Sequence, residues 1–372
     1  MKNPFLIGRQ FEPESFLDRE KETAFILDEV TQNGNLVLFG SRRLGKTWLI
    51  EKVFDELEKK ELASTLFFDI QQYATLAFFV NDFVLKVYRA SSYEDKIENF
   101  FKHFLPTTFM HFSLSLGPVK FELQTQKAEN IHQAMIEVLQ IPEKMSQEKP
   151  FVIAFDEFQE FKVLDETIIP VLRSQIQHQK FATYIFAGSK ESVIKKMFLS
   201  KNGPFFQSMK HLHLVNYLPI ASCRDFLTRK FYDTDKKITP DGIDTLLDYS
   251  KGHPLFMQIL ARRSWQKTNK ICDQEIVISS LQEELDINQY EYEAKINLIH
   301  SREQRAALFS LAKDETELFK RENLDLYDIH NPNTMNRAIL QLIEMGLIEK
   351  IDRGKYRFSD LFFKEFLKQR LM

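Results

Sequence analysis

Cysteine is scarce in this sequence of 372 residues, which contains only Cys223 and Cys272. Neither residue has a neighbour at the spacing of metal ligands, so a disulfide framework and a cysteine-based metal site are both excluded. No apolar run approaches the roughly 20 residues that a membrane-spanning helix needs. Residues 1–9 also lack an apolar segment of signal-peptide length. We therefore expect a soluble protein of the reducing cytoplasm that has no membrane partner.

A strong excess of either charge is also missing. The 50 Lys and Arg residues are matched by 53 Asp and Glu residues, which gives a formal net charge of −3. The chain as a whole therefore has no electrostatic preference for nucleic acid or for an anionic membrane, although a local patch can still bind either one. The apolar fraction of 44% is that of a folded protein, and the length predicts two or three domains.

Residues 36–47 carry the strongest motif, an apolar run that enters a Gly-x-x-x-x-Gly-Lys-Thr loop. A β-rich stretch precedes this loop and apolar residues at helical spacing follow it, which indicates a strand, a loop and a helix in succession. Backbone N–H groups in such a loop can wrap a phosphate chain, and the dipole of the following helix favours the same anion. The sequence therefore predicts a nucleoside-triphosphate site.

Individual residues of this loop have distinct expected roles. Lys46 supplies a positive charge to the outer phosphates, and the Thr47 hydroxyl ligates Mg²⁺. The sequence contains no guanine-reading Asn-Lys-x-Asp motif, which favours ATP as the nucleotide. The residues expected to contact the nucleotide here are Gly40, Ser41, Arg42, Arg43, Leu44, Gly45, Lys46, Thr47 and Trp48.

A second motif begins with the apolar run at residues 151–155, which is typical of a strand buried on both faces. Asp156 and Glu157 follow this run directly, at the end where a parallel sheet holds its ligands. We expect Asp156 to hold Mg²⁺ through its water shell. Because side chains alternate along a strand, we expect Glu157 to point the opposite way and to polarise the attacking water.

A third β-rich stretch, residues 182–187, ends shortly before Ser189. Ser189 is a candidate sensor of the γ-phosphate, although the same position suits an N-cap for the next helix. Arg173 is a weaker candidate. His211 and His213 alternate on a short predicted strand, and we interpret them as structural because two residues of one strand offer too few ligands for a metal.

The order of the predicted elements gives the fold class and the domain boundaries. Strands and helices alternate in the first half of the chain, which indicates an α/β P-loop NTPase core with a parallel sheet. A polar–apolar alternation predicts a hairpin insertion near 108–126. From Leu218 onward the strands stop. We expect residues 1–217 to form the ATPase core, residues 218–290 a helical lid, and residues 291–372 a winged-helix domain.

The last two segments have their own sequence signals. Thr239 followed by Pro240 is a clear helix start in the lid. Two short β stretches joined at residues 352–355 come after a helix, which favours a winged helix. Residues 301–372 contain 13 Lys and Arg against 12 Asp and Glu. This balance gives no basic footprint for DNA, so an interaction or regulatory wing fits at least as well.

Several short segments occur in a characteristic order along the chain: Phe16-Leu17-Asp18-Arg19-Glu20, Gly40-Ser41-Arg42-Arg43-Leu44-Gly45-Lys46-Thr47, Phe155-Asp156-Glu157-Phe158-Gln159, Gly188-Ser189 and Gly252-His253-Pro254. With these segments the chain resembles the archaeal-type STAND ATPases, a prokaryotic branch of the AAA-like P-loop proteins with a C-terminal winged helix. The resemblance covers nearly the whole chain. Its most specific parts are the paired arginines of the phosphate loop and the Gly-His-Pro turn.

The resemblance implies further nucleotide contacts. Leu17 and Arg19 would border the adenine and the ribose, and Pro254 would pack on the adenine from the lid. From the residues alone, Asp18 suits a helix cap and Arg19 a solvated charge at a helix start. The Gly-His-Pro turn by itself is equally a helix stop followed by a helix start.

One departure from the family bears on the rate of hydrolysis. The family usually places an arginine after the segment that matches residues 203–206, but this chain has Gln-Ser-Met-Lys at residues 207–210. A missing arginine finger can cost a factor of ~10³–10⁵ in rate, so we expect slow basal turnover. Lys210, or an arginine from a partner, could compensate.

Together these features predict a Mg²⁺-dependent ATPase that acts as a nucleotide-controlled molecular switch. In this hypothesis Glu157, Lys46 and Ser189 carry the catalysis, Thr47 and Asp156 hold the metal, and the lid and winged helix regulate an unknown protein partner. A homo-oligomer is also compatible with the sequence. The alternative is a DNA-binding regulator in which ATP is mainly a structural or allosteric ligand.

Overall fold

A computed structural model describes residues 2–8, 11–90, 128–145, 149–313, 318, 325 and 332–371. The hairpin expected near 108–126 lies outside the described residues. The chain forms two compact units. The first, which we name the sheet unit, comprises Arg19–Leu214, and the second, which we name the helical unit, comprises Met1–Asp18 together with Val215–Met372.

The sheet unit is built on five parallel strands. They are β1 (Leu36–Phe39), β2 (Ser64–Asp69), β3 (Phe151–Asp156), β4 (Ala182–Gly188) and β5 (Lys210–His213). Their order in the sheet is β2-β3-β4-β1-β5, so β1 lies between β4 and β5. The predicted α/β fold with a parallel P-loop sheet is therefore confirmed.

Burial explains why the central strands are continuous apolar runs. Every residue of β1, β3 and β4 is buried, because helices cover both faces of a parallel sheet. The register pairs Phe39 with Gly188 and Asp69 with Asp156. The carboxyl ends of these strands therefore meet at one edge of the sheet, which is where such folds bind ligands.

Seven helices are described in the sheet unit: α1 (Glu20–Thr31), α2 (Lys46–Lys59), α3 (Leu76–Ala90), α4 (Ala128–Met145), α5 (Phe161–Leu164), α6 (Ile168–Ile176) and α7 (Glu191–Phe198). Helix α4 was not predicted from the sequence. It packs on α3 and α6, and it buries Ala134, Met135, Val138 and Leu139 on one face. Pro142 lies inside this helix, a residue that usually ends a helical pattern.

Phenylalanine dominates the core next to the acidic end of β3. Phe155 lies within 6.5 Å, centroid to centroid, of rings from β2, α3, α5 and β4. Phe158, just beyond the strand, packs edge-on against Phe186 at 4.8 Å. Such aromatic pairs add about 0.5–1.5 kcal/mol each beyond the area they bury. The strand end that carries Asp156 and Glu157 is thus held by a rigid aromatic cluster.

The first part of the helical unit contains α8 (Ile220–Tyr232), α9 (Pro240–Ser250), α10 (Pro254–Lys267), α11 (Gln274–Ile287) and α12 (Gln289–Asn297). The predicted start of α9 is confirmed, because the Thr239 hydroxyl accepts a hydrogen bond from the Gly242 N–H. Two short strands, β6 (Lys237–Ile238) and β7 (Ile271–Cys272), pair in parallel. The expectation that strands stop at Leu218 is therefore wrong at this small sheet, since two-residue strands leave no periodic signal.

The end of the chain contains α13 (Arg302–Ala312), α14 (Pro332–Glu344), the antiparallel strands β8 (Ile348–Asp352) and β9 (Lys355–Phe358), and α15 (Leu361–Leu371). These elements share one apolar core with α8–α11. Phe5, near the start of the chain, joins the same core and packs on Phe231 at 5.4 Å. The division into three domains at 217 and 290 stays a prediction. No helix among the described residues is long and apolar enough to span a membrane.

Candidate nucleotide-binding site

The loop between β1 and α2 is shaped by two glycines that serve different purposes. A Cβ atom on Gly40 would lie 2.1 Å from the Leu214 carbonyl oxygen, so only glycine fits there. Gly45 has open space around it but a φ of +87°, a conformation that favours glycine. Arg43 adopts a φ of 66° without being glycine. The loop thus combines close packing with a left-handed backbone immediately before the helix.

Lys46 begins α2 and is buried. Its Nζ donates to the carbonyl oxygens of Gly40 at 2.8 Å and Ser41 at 2.7 Å, so the side chain curls back over the loop. Burial lowers the pKa of Lys46, and the negative charges of Asp156 and Glu157 oppose this effect. A buried ammonium at the N-terminus of a helix is well placed to bind an anion such as a phosphate.

Thr47 and Asp156 meet at the carboxyl edge of the sheet. The Thr47 hydroxyl donates to Asp156 Oδ2 at 2.6 Å, and the Glu157 N–H donates to Asp156 Oδ1 at 2.9 Å. Burial raises the pKa of Asp156, because the charged form is poorly solvated there. A hydroxyl and a carboxylate oxygen side by side are the hard ligands that Mg²⁺ accepts alongside water and phosphate.

This donor set suits a metal that is shared with a substrate. Among the described residues, no group of three or more His, Cys, Asp and Glu side chains could hold a metal ion alone. Mg²⁺ usually keeps several waters and binds through one or two protein groups plus phosphates. The pair of Thr47 and Asp156 therefore fits Mg²⁺ in this role.

Glu157 lies in a turn beyond the strand. Strand β3 ends at Asp156, and Glu157 has a φ of 49°, in the left-handed region. The expectation that strand alternation aims Glu157 is therefore wrong, since the turn sets its direction. Its Oε2 accepts a hydrogen bond from the Ser189 hydroxyl at 2.8 Å and another from the Gln159 amide. The carboxylate is thus held in place by two donors from different strand ends.

Ser189 therefore faces Glu157. Helix α7 has Lys190 as its N-cap, and no side chain caps it. The N-cap alternative for Ser189 is wrong, because its hydroxyl donates to Glu157 instead. The Arg42 Nε also lies 3.4 Å from the Ser189 Oγ.

Gln159 is a site residue to which the sequence analysis gave no role. It is only 3% exposed, and its Oε1 has no hydrogen-bond partner among the described residues. A Cβ atom on Gly188 would lie 2.5 Å from that Oε1, so the glycine leaves room for the amide. The sequence signals were its place at the end of the motif segment 155–159 and a glycine at the end of β4, beside Ser189.

Two further carboxylates lie near the predicted ones. Glu51, one turn after Thr47 on α2, has its pKa raised by burial and by the charge of Asp156. Burial also raises the pKa of Asp69, at the end of β2, and the charge of Glu157 adds to this effect. Asp69 reaches this edge because β2 pairs with β3, whereas Glu51 lies there because it is one turn beyond Thr47.

Lys210 does not lie at the phosphate-loop end of the sheet, where a substitute for the missing arginine finger would have to lie. It pairs with Leu36, at the amino end of β1, whereas the phosphate loop follows the carboxyl end. Three residues of strand, about 10 Å, separate Lys210 from His213 along β5. His213 stacks on Phe39 at 4.4 Å, and its Nε2 lies 3.1 Å from Glu191 Oε2, which is a structural arrangement.

The residues implied by the family resemblance are distributed over both units. Arg19, in the sheet unit, is buried with a φ of 76° and pairs with Glu22 at 2.8 Å. Leu17 packs against the core of the helical unit, and Pro254 is the first residue of α10. Asp18 does not cap α1 as expected, since its carboxylate accepts a hydrogen bond from the Ser222 hydroxyl. The nucleotide contacts of these residues stay predictions.

The Gly-His-Pro turn has a local structural reason. Gly252 has a φ of +78°, and a Cβ atom there would lie 2.4 Å from the Leu218 carbonyl oxygen. His253 caps α10, because its Nδ1 accepts a hydrogen bond from the Leu255 N–H at 3.2 Å. The motif therefore ends one helix and starts the next, which accounts for its residues independently of any nucleotide contact.

Solved structures with the same fold were found by structural comparison. A Walker-type ATPase of Pyrococcus abyssi has a TM-score of 0.67 at 16% identity, over 98% of this chain and 99% of that chain. The Orc2 protein of Aeropyrum pernix, solved as ADPNP–ADP complexes, has a TM-score of 0.60 at 13% identity, over 100% and 98%. The Orc1 protein of the same organism, solved in complex with DNA, has a TM-score of 0.51 at 12% identity, over 97% and 96%.

At these identities the likeness concerns the fold, which is that of P-loop ATPases. No curated protein sequence matches the chain. The family model of an ATPase domain found predominantly in Archaea matches residues 16–258, which is more than half of the chain and includes the whole phosphate site. The chain therefore belongs to this predominantly archaeal family of P-loop ATPases.

Proposed function

We propose that this protein is a Mg²⁺-dependent ATP hydrolase that works as a nucleotide-controlled switch. The observation that carries the proposal is the convergence of Lys46, Thr47, Asp156, Glu157 and Ser189 at one sheet edge. Two contacts define it: Thr47 bonds to Asp156 at 2.6 Å, and Ser189 bonds to Glu157 at 2.8 Å. Membership of an ATPase family supports the same conclusion.

Each residue has a role that follows from its position. Lys46 and the N–H groups of the loop bind the phosphates, with Lys46 turning from the loop carbonyls to the outer phosphates. Thr47 and Asp156 hold Mg²⁺, which neutralises charge on the phosphate oxygens when bound. Glu157 orients the attacking water and accepts its proton, while the terminal phosphoryl group leaves ADP for the water oxygen.

Glu157 needs a fixed orientation for this task. Ser189 and Gln159 both donate to its Oε2, and neither bonds to its Oε1. We assign Oε1 to the attacking water. The Ser189 Oγ also lies 3.4 Å from Arg42 Nε of the loop, which supports the sensor role proposed for it. A misplacement of about 1 Å at such a base can cost ~10²-fold in rate, so these two donors matter for turnover.

The helical unit is the part that we propose to respond to the nucleotide. The Leu214 N–H donates to the Phe39 carbonyl oxygen at 2.7 Å, directly before the phosphate loop. The next residue, Val215, accepts a hydrogen bond from Arg357 of β9 at 3.1 Å. Arg357 also stacks over the Tyr217 ring at 4.0 Å. At the start of this part of the helical unit, Val215 and Tyr217 are therefore attached to β9 through Arg357.

We accordingly propose that α13, α14, β8, β9 and α15 form a winged helix, as in the STAND ATPases that the sequence resembles. Leu17, Arg19 and Pro254 would border the base and sugar. In this scheme a change at the loop reaches the wing through residues 214–217, and the wing engages a protein partner.

Hydrogen exchange of the full chain tests this switch. Glu157→Gln loaded with Mg²⁺ and ATP should differ from the same variant with ADP in the exchange of residues 214–217 and of β8–β9. Lys46→Ala is the matched control and should show no difference between the two nucleotides. Exchange that is identical with ATP and ADP in Glu157→Gln, despite measured binding of both, would exclude the switch.

A second candidate function is DNA binding by the β8–β9 hairpin. Its exposed end carries Lys350, Arg353 and Lys355 against Asp352, and Orc1 of Aeropyrum pernix, which has a similar fold, was solved in complex with DNA. A mobility shift with duplex DNA at two salt concentrations, with and without ATP, tests this role. Binding that is absent at low salt would exclude it, because nonspecific phosphate contacts are strongest there.

A further inference from the structure

We propose, building on the ATP hydrolysis proposed above, that Arg42 is an internal arginine finger. Its guanidinium would donate to the oxygens of the γ-phosphoryl group as that group moves from ADP to water. Arginine fingers stabilise the negative charge of this transition state, and they are supplied either by the same chain or by a partner. Arg42 is one of the four positions between the two glycines at which the phosphate-loop motif requires no particular residue, and this assignment gives it a catalytic role.

The position of the Arg42 side chain carries the inference. Arg42 is the third residue of the loop and is exposed, and its Nε lies 3.4 Å from Ser189 Oγ. The same hydroxyl donates to Glu157 at 2.8 Å. The guanidinium therefore lies on the side of the loop that faces the proposed catalytic base. The attacking water and the γ-phosphate must meet on this side.

The local charge supports an anion next to Arg42. Arg42 and Lys46 are two cations of the same phosphate loop, four residues apart. Two cations held close together on one loop favour a polyanion between them. The contact with Ser189 is long for a hydrogen bond, so the guanidinium loses little interaction energy when it turns to a phosphate oxygen.

The other cations at this edge are less suited to the role. Lys190 pairs with Glu160 at 2.8 Å, and Lys195 pairs with Glu191 at 2.6 Å. Lys210 lies at the opposite end of its strand. Arginine is also the better residue chemically, because its planar fork can donate to two phosphate oxygens at once. Among the described residues, Arg42 thus fits the missing finger best.

The test separates transition-state stabilisation from nucleotide binding. It compares the full-length wild type with Arg42→Ala and Arg42→Lys in three measurements: kcat for Mg²⁺-ATP, affinity for Mg²⁺-ADP, and affinity for Mg²⁺-ADP with aluminium fluoride, which mimics the transferring phosphoryl group. We expect Arg42→Ala to lose ~10³-fold in kcat, the lower end of the range for arginine fingers. Its affinity for the aluminium fluoride complex should fall in parallel, while its affinity for ADP changes less than about threefold.

Two comparisons sharpen the result. Arg42→Lys should recover only part of the loss, because an ammonium cannot make the forked contact. Arg43→Ala removes the same charge from the neighbouring position, where the Ser189 and Glu157 hydrogen bonds described above do not involve the side chain. Its loss of kcat should be at least about tenfold smaller than that of Arg42→Ala.

Several outcomes would overturn the inference. If wild type hydrolyses ATP and Arg42→Ala matches it in kcat and in aluminium fluoride affinity, the finger is not Arg42, although the ATPase function stands. If Arg42→Ala weakens ADP and the aluminium fluoride complex equally, Arg42 serves ground-state binding only. A kcat that rises with protein concentration and does not depend on Arg42 would assign the finger to a second copy. A wild type that does not hydrolyse Mg²⁺-ATP would overturn the proposed function as well.

Discussion

The two units bury different kinds of polar side chain. The sheet unit buries four side chains that ordinarily carry charge: Arg19, Lys46, Glu137 and Asp156. The buried polar side chains described in the helical unit contain no Lys, Arg, Asp or Glu: Ser15, Ser250, His253, Ser264, Thr268, Ser280, Gln304 and Ser310. Buried charge is thus a property of the unit that carries the phosphate loop, as far as the described residues show.

The neighbours of these side chains show what each set does. In the helical unit, Thr268 donates to the Ser264 carbonyl oxygen at 2.7 Å, and Ser280 donates to that of Ile276 at 2.7 Å. These bonds satisfy the Thr268 hydroxyl at the end of α10 and the Ser280 hydroxyl within α11. The hydroxyls of Ser250, Ser264 and Ser310 have no hydrogen-bond partner among the described residues. Lys46 and Asp156 instead have pKa values displaced by burial. Desolvating a charge is unfavourable for folding, so such groups indicate a ligand rather than a stability role.

The comparison predicts that substitutions in the two units separate activity from stability. Changes at the sheet edge should reduce turnover and leave the free energy of unfolding nearly constant. Changes at the helix caps of the helical unit should lower the free energy of unfolding and leave turnover nearly constant. Three variants test this separation and a fourth, Glu191→Gln, tests an ion-pair contribution to stability within the sheet unit; they follow from the largest expected effect to the smallest.

Lys46→Ala should have the largest effect, a loss of ATP binding and a fall in turnover of at least ~10³-fold, or roughly 4 kcal/mol of transition-state stabilisation. The free energy of unfolding should change by less than ~1 kcal/mol, because a desolvated ammonium is removed together with its contacts. Calorimetric binding, ATPase assays and urea unfolding measure these quantities. Lys52→Ala, on the same helix, is the control. A stability loss as large as the activity loss would contradict the comparison.

Gln159→Leu should lower kcat by ~10–100-fold, because the Glu157 carboxylate loses one of its two donors while the side-chain volume is kept. The KM for ATP should change less than about threefold, which separates a positioning role from a general loss of structure. Gln159→Glu should not restore the rate, since it replaces the donor with a second carboxylate. Gln175→Leu on α6 serves as the control. Equal kcat in Gln159→Leu and wild type would remove Gln159 from the site.

Thr239→Ala should destabilise the helical unit by about 1 kcal/mol, because α9 loses its side-chain cap. The ATPase rate per folded molecule should stay at the wild-type value. Thr239→Ser keeps the hydroxyl and should retain most of the stability. Chemical unfolding followed by circular dichroism gives the difference. A Thr239→Ala protein that is fully stable but catalytically impaired would reverse the proposed division of roles.

Glu191→Gln should have the smallest effect, which should depend on pH. Burial acts to raise the pKa of Glu191, but the contacts with His213 and Lys195 outweigh it and lower the pKa to about 2, from 4.5. A depressed pKa contributes stability above pH 4.5 that is lost as the pH falls towards 2. Because the side chain is partly solvated, we expect less than ~1 kcal/mol at neutral pH.

The free energies of unfolding of wild type and Glu191→Gln should therefore differ most above about pH 5 and converge towards pH 2. Glu166→Gln, an exposed position in the same unit, is the control for the lost charge. If the difference between the two free energies of unfolding grows as the pH falls, the pKa of Glu191 is not lowered by folding, and the prediction is wrong.

The sequence alone predicted those parts of the site that are close together along the chain. The loop from Gly40 to Thr47 is recognisable because its geometry depends on residues at fixed spacing. Asp156 and Glu157 were identified because a buried strand in a parallel sheet must end at the ligand edge. Thr239 was found because a cap acts only within its own helix turn.

The remaining features depend on contacts between distant segments. The role of Gln159 requires β3 and β4 to be neighbours, which the strand order sets. Asp18 was expected as a cap, but Asp18 and Arg19 both have positive φ values, a conformation that local preferences disfavour. Lys210 was misplaced because one residue does not reveal which end of a strand faces the site. Local rules thus identified the chemical groups, and the tertiary structure determined their partners.

The most direct test of the central claim is Glu157→Gln, measured for ATP affinity and for turnover in the same preparation. The amide keeps the size of the side chain but cannot accept the proton of the attacking water. We predict ATP affinity within about threefold of wild type and a loss of turnover of ~10²–10⁴-fold. Equal turnover in Glu157→Gln and wild type would contradict the account of this site.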